Sequence, residues 1–156
     1  FSNEHIVQDL NDVEKLKVEQ RLIEILGYEN DVLIGETLVL LKSTNSLQAL
    51  FRILNRTKKP LLRIIWASFI NEIRNGDDEM KKVALEALEK ITRQLFFRNS
   101  DLISAFYYLA RFDDERIKRK IQGYLNHKNY LVASNAKTSL GLDNFANTLL
   151  GKMKYF

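Results

Sequence analysis

The side chains that most often perform catalysis are scarce and scattered in this chain. There is no cysteine, and the two histidines, His5 and His127, lie far apart in the sequence. His127 sits in the polar turn 126–129, where no carboxylate or hydroxyl constellation accompanies it, so we expect a solvent-facing or capping role. Neither an HxxxH nor an HExxH spacing occurs, although these are the spacings that bring two zinc ligands onto one helical face. We therefore predict neither a catalytic centre nor a histidine-based metal site.

Acidic residues are concentrated in two Asp-Asp-Glu clusters, at 77–79 and 113–115. Dense carboxylates could bind a divalent cation. Each cluster, however, opens a predicted helix, where acids accept hydrogen bonds from free N–H groups and suit the positive end of the helix dipole. We interpret both clusters as helix caps. Because the six glycines also stand singly, without a phosphate-binding loop, the sequence predicts no metal, no cofactor and no enzymatic activity.

Basic residues form two clusters that bear on partners. The first lies in a turn and the second on one face of a predicted helix: Arg56, Lys58 and Lys59, then Arg116, Arg119 and Lys120. Residues 1–50 hold nine acidic and four basic side chains, whereas residues 51–156 hold eleven acidic and twenty basic ones. Such clusters are compatible with solvated surface, with binding to an acidic protein, or with contacts to nucleic-acid phosphates. The sequence leaves all three alternatives open.

Aromatic residues are concentrated between positions 96 and 112: Phe96, Phe97, Phe106, Tyr107, Tyr108 and Phe112. Adjacent aromatics on one helix cannot both face a single core. Ile103, Tyr107 and Ala110 form one stripe of the predicted helix, and Phe97 or Tyr108 is the candidate for exposure. In a solenoid, however, opposite sides of a helix can both be buried, and we favour that alternative. An exposed aromatic beside Arg98 or Arg111 would be typical of a protein-binding hot spot.

The elements that would position these side chains are helices, most clearly over 46–75. Apolar residues fall at i, i+3, i+4 and i+7 in its first half, and the second half repeats that face and widens it to two sides. Pro60, with its fixed φ and missing N–H, suits the first position of the second helix. The pattern predicts an antiparallel helix pair joined by the basic turn.

The same arrangement recurs along the chain. The expected pairs cover 12–43, 45–75, 78–112 and 114–142, followed by a closing helix over 143–153. The Asp-Asp-Glu clusters begin 36 residues apart, each at the first helix of a pair. Two-helix units with a period of roughly 28 to 40 residues indicate stacked repeats, because such units cannot bury their apolar faces alone. We expect residues 1–156 to form a single all-α domain, a solenoid of about four helix pairs.

Several residues connect this pattern to a known superfamily. Leu62-Arg63, just after the start of a second helix, looks like a hydrophobic–Arg step, and Val132 with Ala136 and Leu140 looks like a small-residue helical core. Over about residues 12–142 the chain resembles the HEAT-repeat and armadillo-like superfamily. The resemblance implies a right-handed α-α superhelix that serves as a curved scaffold, usually a protein-binding one.

The predicted function is therefore non-catalytic binding of another protein, with an acidic partner favoured by the basic clusters. Second helices (32–42, 60–75, 101–111 and 130–141) should line the concave side. The candidate contact residues are the polar and aromatic side chains of that side: Arg63, Asn71, Arg74, Tyr108 and Arg111. One alternative is a nucleic-acid-binding repeat protein that uses the basic C-terminal two-thirds. Another is a bacterial immunity protein that neutralises a toxin.

Location is indicated only by simple features of the chain. Wholly apolar runs are about four residues long, as at 38–41, against roughly 20 residues needed to cross a bilayer. No signal peptide is visible, and the lack of cysteine fits a reducing compartment. We expect a cytoplasmic or cytoplasm-facing protein without a transmembrane segment. Because the chain opens at Phe1 without Met, we expect that it was processed or cut from a longer protein.

Overall fold

The computed structural model describes residues 3–93 and 98–142, and every regular element within these two ranges is helical. The expected all-α class is therefore confirmed for this part of the chain. The closing helix predicted over 143–153 lies outside the described residues. In chain order the helices are α1 (Glu4–Gln8), α2 (Asp12–Leu26), α3 (Val32–Leu40), α4 (Leu47–Arg56), α5 (Pro60–Ile73), α6 (Asp78–Arg93), α7 (Asn99–Leu109), α8 (Glu115–Gln122) and α9 (Tyr130–Ser139). Short 3-10 turns at Thr44–Ser46 and Ala110–Phe112 precede α4 and follow α7.

Side-chain caps begin five of these helices. The Asn11 side chain accepts from the backbone N–H of Glu14, whose carboxylate accepts from the Asn11 N–H in return. A side-chain oxygen also accepts from a backbone N–H at the start of α3, α6, α8 and α9. The capping residues are Asp31, Asp77, Asp114 and Asn129. Both Asp-Asp-Glu clusters thus supply a helix cap, as predicted.

The second helices predicted over 32–42, 60–75, 101–111 and 130–141 each end two residues earlier, at Leu40, Ile73, Leu109 and Ser139. Helix α7 begins at Asn99, two residues before the predicted start at 101, and has no side-chain cap. Helix α3 ends at Leu40 because Lys42 adopts a left-handed conformation (φ 51°) and the next N–H bonds back to Leu38. Helix α8 ends at Gln122, after which the backbone continues in tighter turns with i to i−3 hydrogen bonds.

Helix α5 lies at the centre of the fold and contacts α3, α4, α6 and α7. Its residues 64–71 are all buried, including Trp66 and Phe69, so it is covered on more than one side as its apolar pattern predicts. The second helices of the expected pairs contact one another in chain order: α3 contacts α5, α5 contacts α7, and α7 contacts α9. Side chains on α3, α5 and α7 are therefore brought to one row.

The contact between α3 and α5 depends on a glycine. A Cβ atom added at Gly35 would lie 2.5 and 2.6 Å from two ring carbons of Phe69 and 2.8 Å from a ring carbon of Trp66. Ordinary carbon–carbon contacts are roughly 3.5–4.0 Å, so no side chain fits there without displacement of the rings. The lack of a side chain at Gly35 lets α3 approach α5 closely and sets the position of its neighbour, Glu36.

Candidate functional site

The most extensive polar cluster on the second helices surrounds Arg111, in the 3-10 turn that follows α7. Its Nη1 donates to Oε1 of Glu36 on α3 at 2.8 Å. Its Nε and Nη2 both approach Oε2 of Glu72 on α5, at 2.8 and 2.6 Å. One guanidinium therefore connects three elements, through partners that lie 75 and 39 residues away in the sequence.

Two aromatic rings also lie near the same guanidinium. The Cζ atom of Arg111 lies 5.4 Å from the ring centroid of Phe69 and 5.6 Å from that of Tyr108. These two rings meet edge to face at 5.9 Å. Contacts of this kind add cation–π attraction to the ion pairs. Arg111 is thus held by ion pairs and by contacts with aromatic rings together.

Electrostatics keep this cluster in a defined protonation state. Burial by itself would lower the pKa of Arg111, but hydrogen bonds and charge attraction from Glu36 and Glu72 outweigh it and leave the pKa raised. Burial, followed by the negative charge of Glu36, raises the pKa of the Tyr108 hydroxyl. The guanidinium therefore stays charged and the phenol neutral at physiological pH.

A cleft with a volume of about 440 Å³ opens beside the cluster, between α1, α3 and α7. Its apolar wall includes Leu33, Leu40 and Tyr107, which are 44%, 37% and 64% exposed. Helix α1 is held against α3 by the side chain of Asn3, whose Nδ2 donates to Oγ1 of Thr37 at 3.0 Å. The cleft thus combines exposed apolar side chains with the polar side chains of the Arg111 cluster, which are held in place by their mutual contacts.

Of the five contact residues predicted from the sequence, the structure brings together Tyr108 and Arg111, which both line the cleft. Arg63 lies elsewhere: its Nη1 donates to the carbonyl oxygens of Leu54 (3.0 Å) and Thr57 (3.1 Å), at the C-terminal end of α4. This position leaves its charged group engaged within the fold rather than presented with the cleft.

The remaining two predicted contact residues are also engaged within the fold, at the turn between α5 and α6. Asn71 is buried, and its Oδ1 accepts from the backbone N–H of Asp77 at 2.8 Å. Arg74 forms an ion pair with Asp77 at 2.6 Å and stays partly exposed. Neither residue lines the cleft. Both side chains stabilise the turn, and Asn71 lines a separate groove together with Arg111.

The two adjacent tyrosines of α7 differ in exposure. Tyr107 is the exposed member of its pair, while Tyr108 is half-buried against Phe69 and Arg111. Phe97 lies outside the described residues. The sequence did not indicate that the cleft residues Leu33 and Leu40 would be exposed. It also did not indicate that Glu36 and Glu72 would pair with Arg111. The only sequence signal for Glu36 and Glu72 is that they are acidic residues on otherwise apolar second helices.

The basic cluster on α8 is largely neutralised by nearby acids. Arg116 pairs with Asp114 at 2.8 Å, and Lys120 approaches Glu89 of α6 at 3.5 Å. Arg119 is exposed and makes no ion pair with any residue that the structure describes. The face predicted from i, i+3 and i+4 spacing therefore exists, but two of its three charges are already engaged.

The basic turn between α4 and α5 is different. Arg56, Lys58 and Lys59 are exposed and form no ion pairs within residues 3–93 and 98–142. Arg56 also lines a small groove of about 220 Å³ with Arg52 and Tyr28, whose side chain is 92% exposed. This turn presents uncompensated positive charge next to an accessible aromatic ring.

His127 takes the local role expected from its turn. Its Nδ1 accepts a hydrogen bond from the backbone N–H of Asn129 at 3.1 Å, just before α9. In the part of the chain that the structure describes, no three His, Asp or Glu side chains are grouped so that they could hold a metal ion. Within the same residues, no helix combines the length and apolar character needed to cross a membrane.

Comparison with known proteins does not add a relative to this description. No family model, no curated protein and no solved structure matches the chain. The cleft and the basic turn are the two surfaces of the described residues that bear on function.

Proposed function

We propose that this chain is a HEAT-like helical-repeat scaffold that binds a protein partner in the cleft between α1, α3 and α7, without catalysis. The contacts of α3 with α5, α5 with α7, and α7 with α9 support the repeat arrangement, because second helices of a solenoid stack in chain order. In such a superhelix this row would form one continuous surface. The cleft would lie at its N-terminal end, where α1 adds a further wall.

The observation that carries the proposal is the pairing of exposed apolar side chains with a rigid polar cluster. Tyr107, Leu33 and Leu40 leave apolar surface exposed at the cleft, while Arg111 is held at its floor by two carboxylates and two rings. Tyrosine and arginine are enriched at the energetic centres of protein interfaces, and a fixed side chain loses little entropy on binding. The cleft therefore supplies the parts that a protein-binding hot spot uses.

Partner capture with cleft variants tests this proposal. The full chain, immobilised, is exposed to extract of its native cells beside Leu33→Asp and Tyr107→Ala, and bound proteins are quantified by mass spectrometry. Tyr130→Ala is the matched control, because Tyr130 is 79% exposed and does not line the cleft. We expect a partner retained by the wild-type chain and the control but lost from both cleft variants. Equal capture by all four chains would remove the cleft from the proposal.

Nucleic-acid binding is the second candidate, and the basic turn favours it. Arg56, Lys58 and Lys59 are exposed and form no ion pairs with the residues that the structure describes, and Arg56 shares a groove with the exposed ring of Tyr28. This arrangement suits phosphate contacts and base stacking. Fluorescence anisotropy with single-stranded RNA and duplex DNA would then show affinity that falls steeply with salt. The triple glutamine variant of the turn should lose that affinity. Binding that is absent at low salt, or insensitive to the triple variant, would exclude this candidate.

A further inference from the structure

The groove beside the basic turn carries positive charge that no nearby acid balances. Arg52 and Arg56, one helical turn apart on α4, line it together with Tyr28, which follows α2. None of the described residues that line the groove is acidic. The stretch 37–71, which includes all of α4 and the turn, contains no acid either. Groove and turn together present four exposed cations: Arg52, Arg56, Lys58 and Lys59.

The positive charge at the turn does not stabilise the helices around it. Helix α5 begins at Pro60, directly after Lys58 and Lys59, and no side chain caps it. Cations are unfavourable there, because the helix dipole places partial positive charge at an N-terminus. In α2, α3, α6, α8 and α9 an Asn or Asp side chain caps the same place. The carbonyl oxygens at the end of α4 already accept from Arg63. Charges that break a local rule without benefit to the fold are typical of functional surfaces.

The floor of the groove offers little apolar surface to a peptide. Leu26, Ala49 and Ile53 line it but are only 1%, 6% and 6% exposed. The side chain of Tyr28, by contrast, is 92% exposed, so its ring is open to a ligand. A planar base can stack on such a ring while its backbone phosphates reach the arginines. The groove therefore suits an anion that carries flat aromatic groups.

Stacking on Tyr28 also distinguishes between forms of nucleic acid. A base in a duplex already lies between its neighbours, and its removal from the stack costs free energy. The bases of a single strand are free to stack on an aromatic side chain, so stacking adds to the phosphate contacts. A duplex would gain the phosphate contacts alone.

From these features we infer that the groove and the basic turn bind single-stranded nucleic acid. One base would stack on Tyr28, and the adjacent phosphates would contact Arg52, Arg56 and the two lysines of the turn. This inference rests on the nucleic-acid binding proposed above for the basic turn and names the form of the strand. It concerns a surface separate from the protein-binding cleft, because no described residue lines both.

Fluorescence anisotropy with the full chain tests the inference. The probes are a labelled RNA strand and a labelled DNA strand of one sequence, and the duplex that each forms with its complement. We expect each single strand to bind at least about fivefold more tightly than its own duplex, the smallest effect of one stacked base. Contacts with three or four phosphates predict a slope of roughly −2 to −3 for log affinity against log salt.

A matched pair of tyrosine variants locates the stacked base. Tyr28→Ala should weaken single-strand binding at least about fivefold, whereas Tyr28→Phe, which keeps the ring, should not. Tyr130→Ala is the control, because Tyr130 is 79% exposed and does not line the groove. Arg52→Gln should reduce the magnitude of the salt slope by about 0.7, the effect of one phosphate contact. Equal effects of Tyr28→Ala and Tyr130→Ala on single-strand affinity would overturn the assignment.

The remaining outcomes separate this inference from the proposed nucleic-acid binding. Equal affinity for single strand and duplex, lost in the triple glutamine variant of the turn but kept in Tyr28→Ala, would overturn the inference and leave nucleic-acid binding intact. No binding of any strand at low salt would overturn both. Tighter binding of a glutamate-rich peptide than of either single strand, lost in the triple variant, would show that the turn takes an acidic protein segment and would also overturn both.

Discussion

Replacement of Gly35 by alanine should destabilise the protein by about 2 kcal/mol. The added Cβ would lie 2.5–2.8 Å from ring carbons of Phe69 and Trp66, which are 0% and 1% exposed. The rings would have to move by about 1 Å to reach ordinary contact distance. Overpacking of a buried site costs about 1–3 kcal/mol, and contact with two rigid rings places Gly35→Ala near the upper end. Alanine regains about 1 kcal/mol because it favours the helical conformation more than glycine does.

Urea unfolding followed by circular dichroism measures this change. A loss of about 2 kcal/mol would lower the midpoint by roughly 1 M, and thermal melting would show a decrease of about 4–8 °C in Tm. Gly123→Ala is the matched control. Gly123 ends α8 with right-handed backbone angles, and its added Cβ would meet only a backbone oxygen at 3.3 Å. That control should keep its stability or gain up to about 1 kcal/mol.

The result that refutes the reasoning is a gain in stability for Gly35→Ala similar to that of the control. The change in the free energy of unfolding would then come from helix propensity alone. In that case α3 would not lie against Phe69 and Trp66. The positions of Glu36 and of the cleft depend on that contact. A stable Gly35→Ala protein would therefore also remove the structural basis of the proposed binding site.

Three further predictions concern polar residues. Arg63→Met should lower the free energy of unfolding, measured in urea, by about 1–2 kcal/mol, because the end of α4 loses two charge-assisted hydrogen bonds. Partner capture by this variant should be unchanged. Lost capture at full stability would contradict the structural role of Arg63. Asn71→Ala should cost about 1–3 kcal/mol because it leaves the Asp77 N–H without its acceptor, and an unchanged midpoint would contradict that hydrogen bond. Hydrogen bonds from Arg116 and from backbone N–H groups hold the pKa of Asp114 at about 2, below its ordinary 3.8, so its contribution to stability is present above about pH 4 and lost as pH falls towards 2. Asp114→Asn keeps a cap without this titration, so the stability difference from wild type should shrink as pH falls from about 4 towards 2. A constant difference would contradict the shifted pKa.

The helices and their caps could be predicted because the signals for them are local. The 3.6-residue period, Pro60 at the start of α5, and the capping side chains of Asn11, Asp114 and Asn129 all act within a turn or two of the chain. Boundaries were less predictable where a residue adopts an unusual conformation. Lys42, with its positive φ, ends α3 although nothing in its residue type favours that conformation.

The cleft could not be predicted because its contacts join distant parts of the chain. Arg111 and Glu36 are 75 residues apart, and only the packing of α3, α5 and α7 brings them together. Gly35 gave no signal of its own, since the ring that lies over it belongs to another helix. Polar residues on second helices looked equivalent in sequence, yet Arg63 and Asn71 bond within the fold while Arg111 faces the cleft.

Hydrogen–deuterium exchange on the full chain, with and without its captured partner, tests most directly whether the cleft is the binding site. The account predicts that partner binding slows exchange of backbone amides in α1, in α3 around Leu33 and Glu36, and in α7 around Tyr107. Exchange at the basic turn 56–59 and in α8 should stay the same. Protection confined to the turn and α8, with α3 and α7 unaffected, would contradict the account.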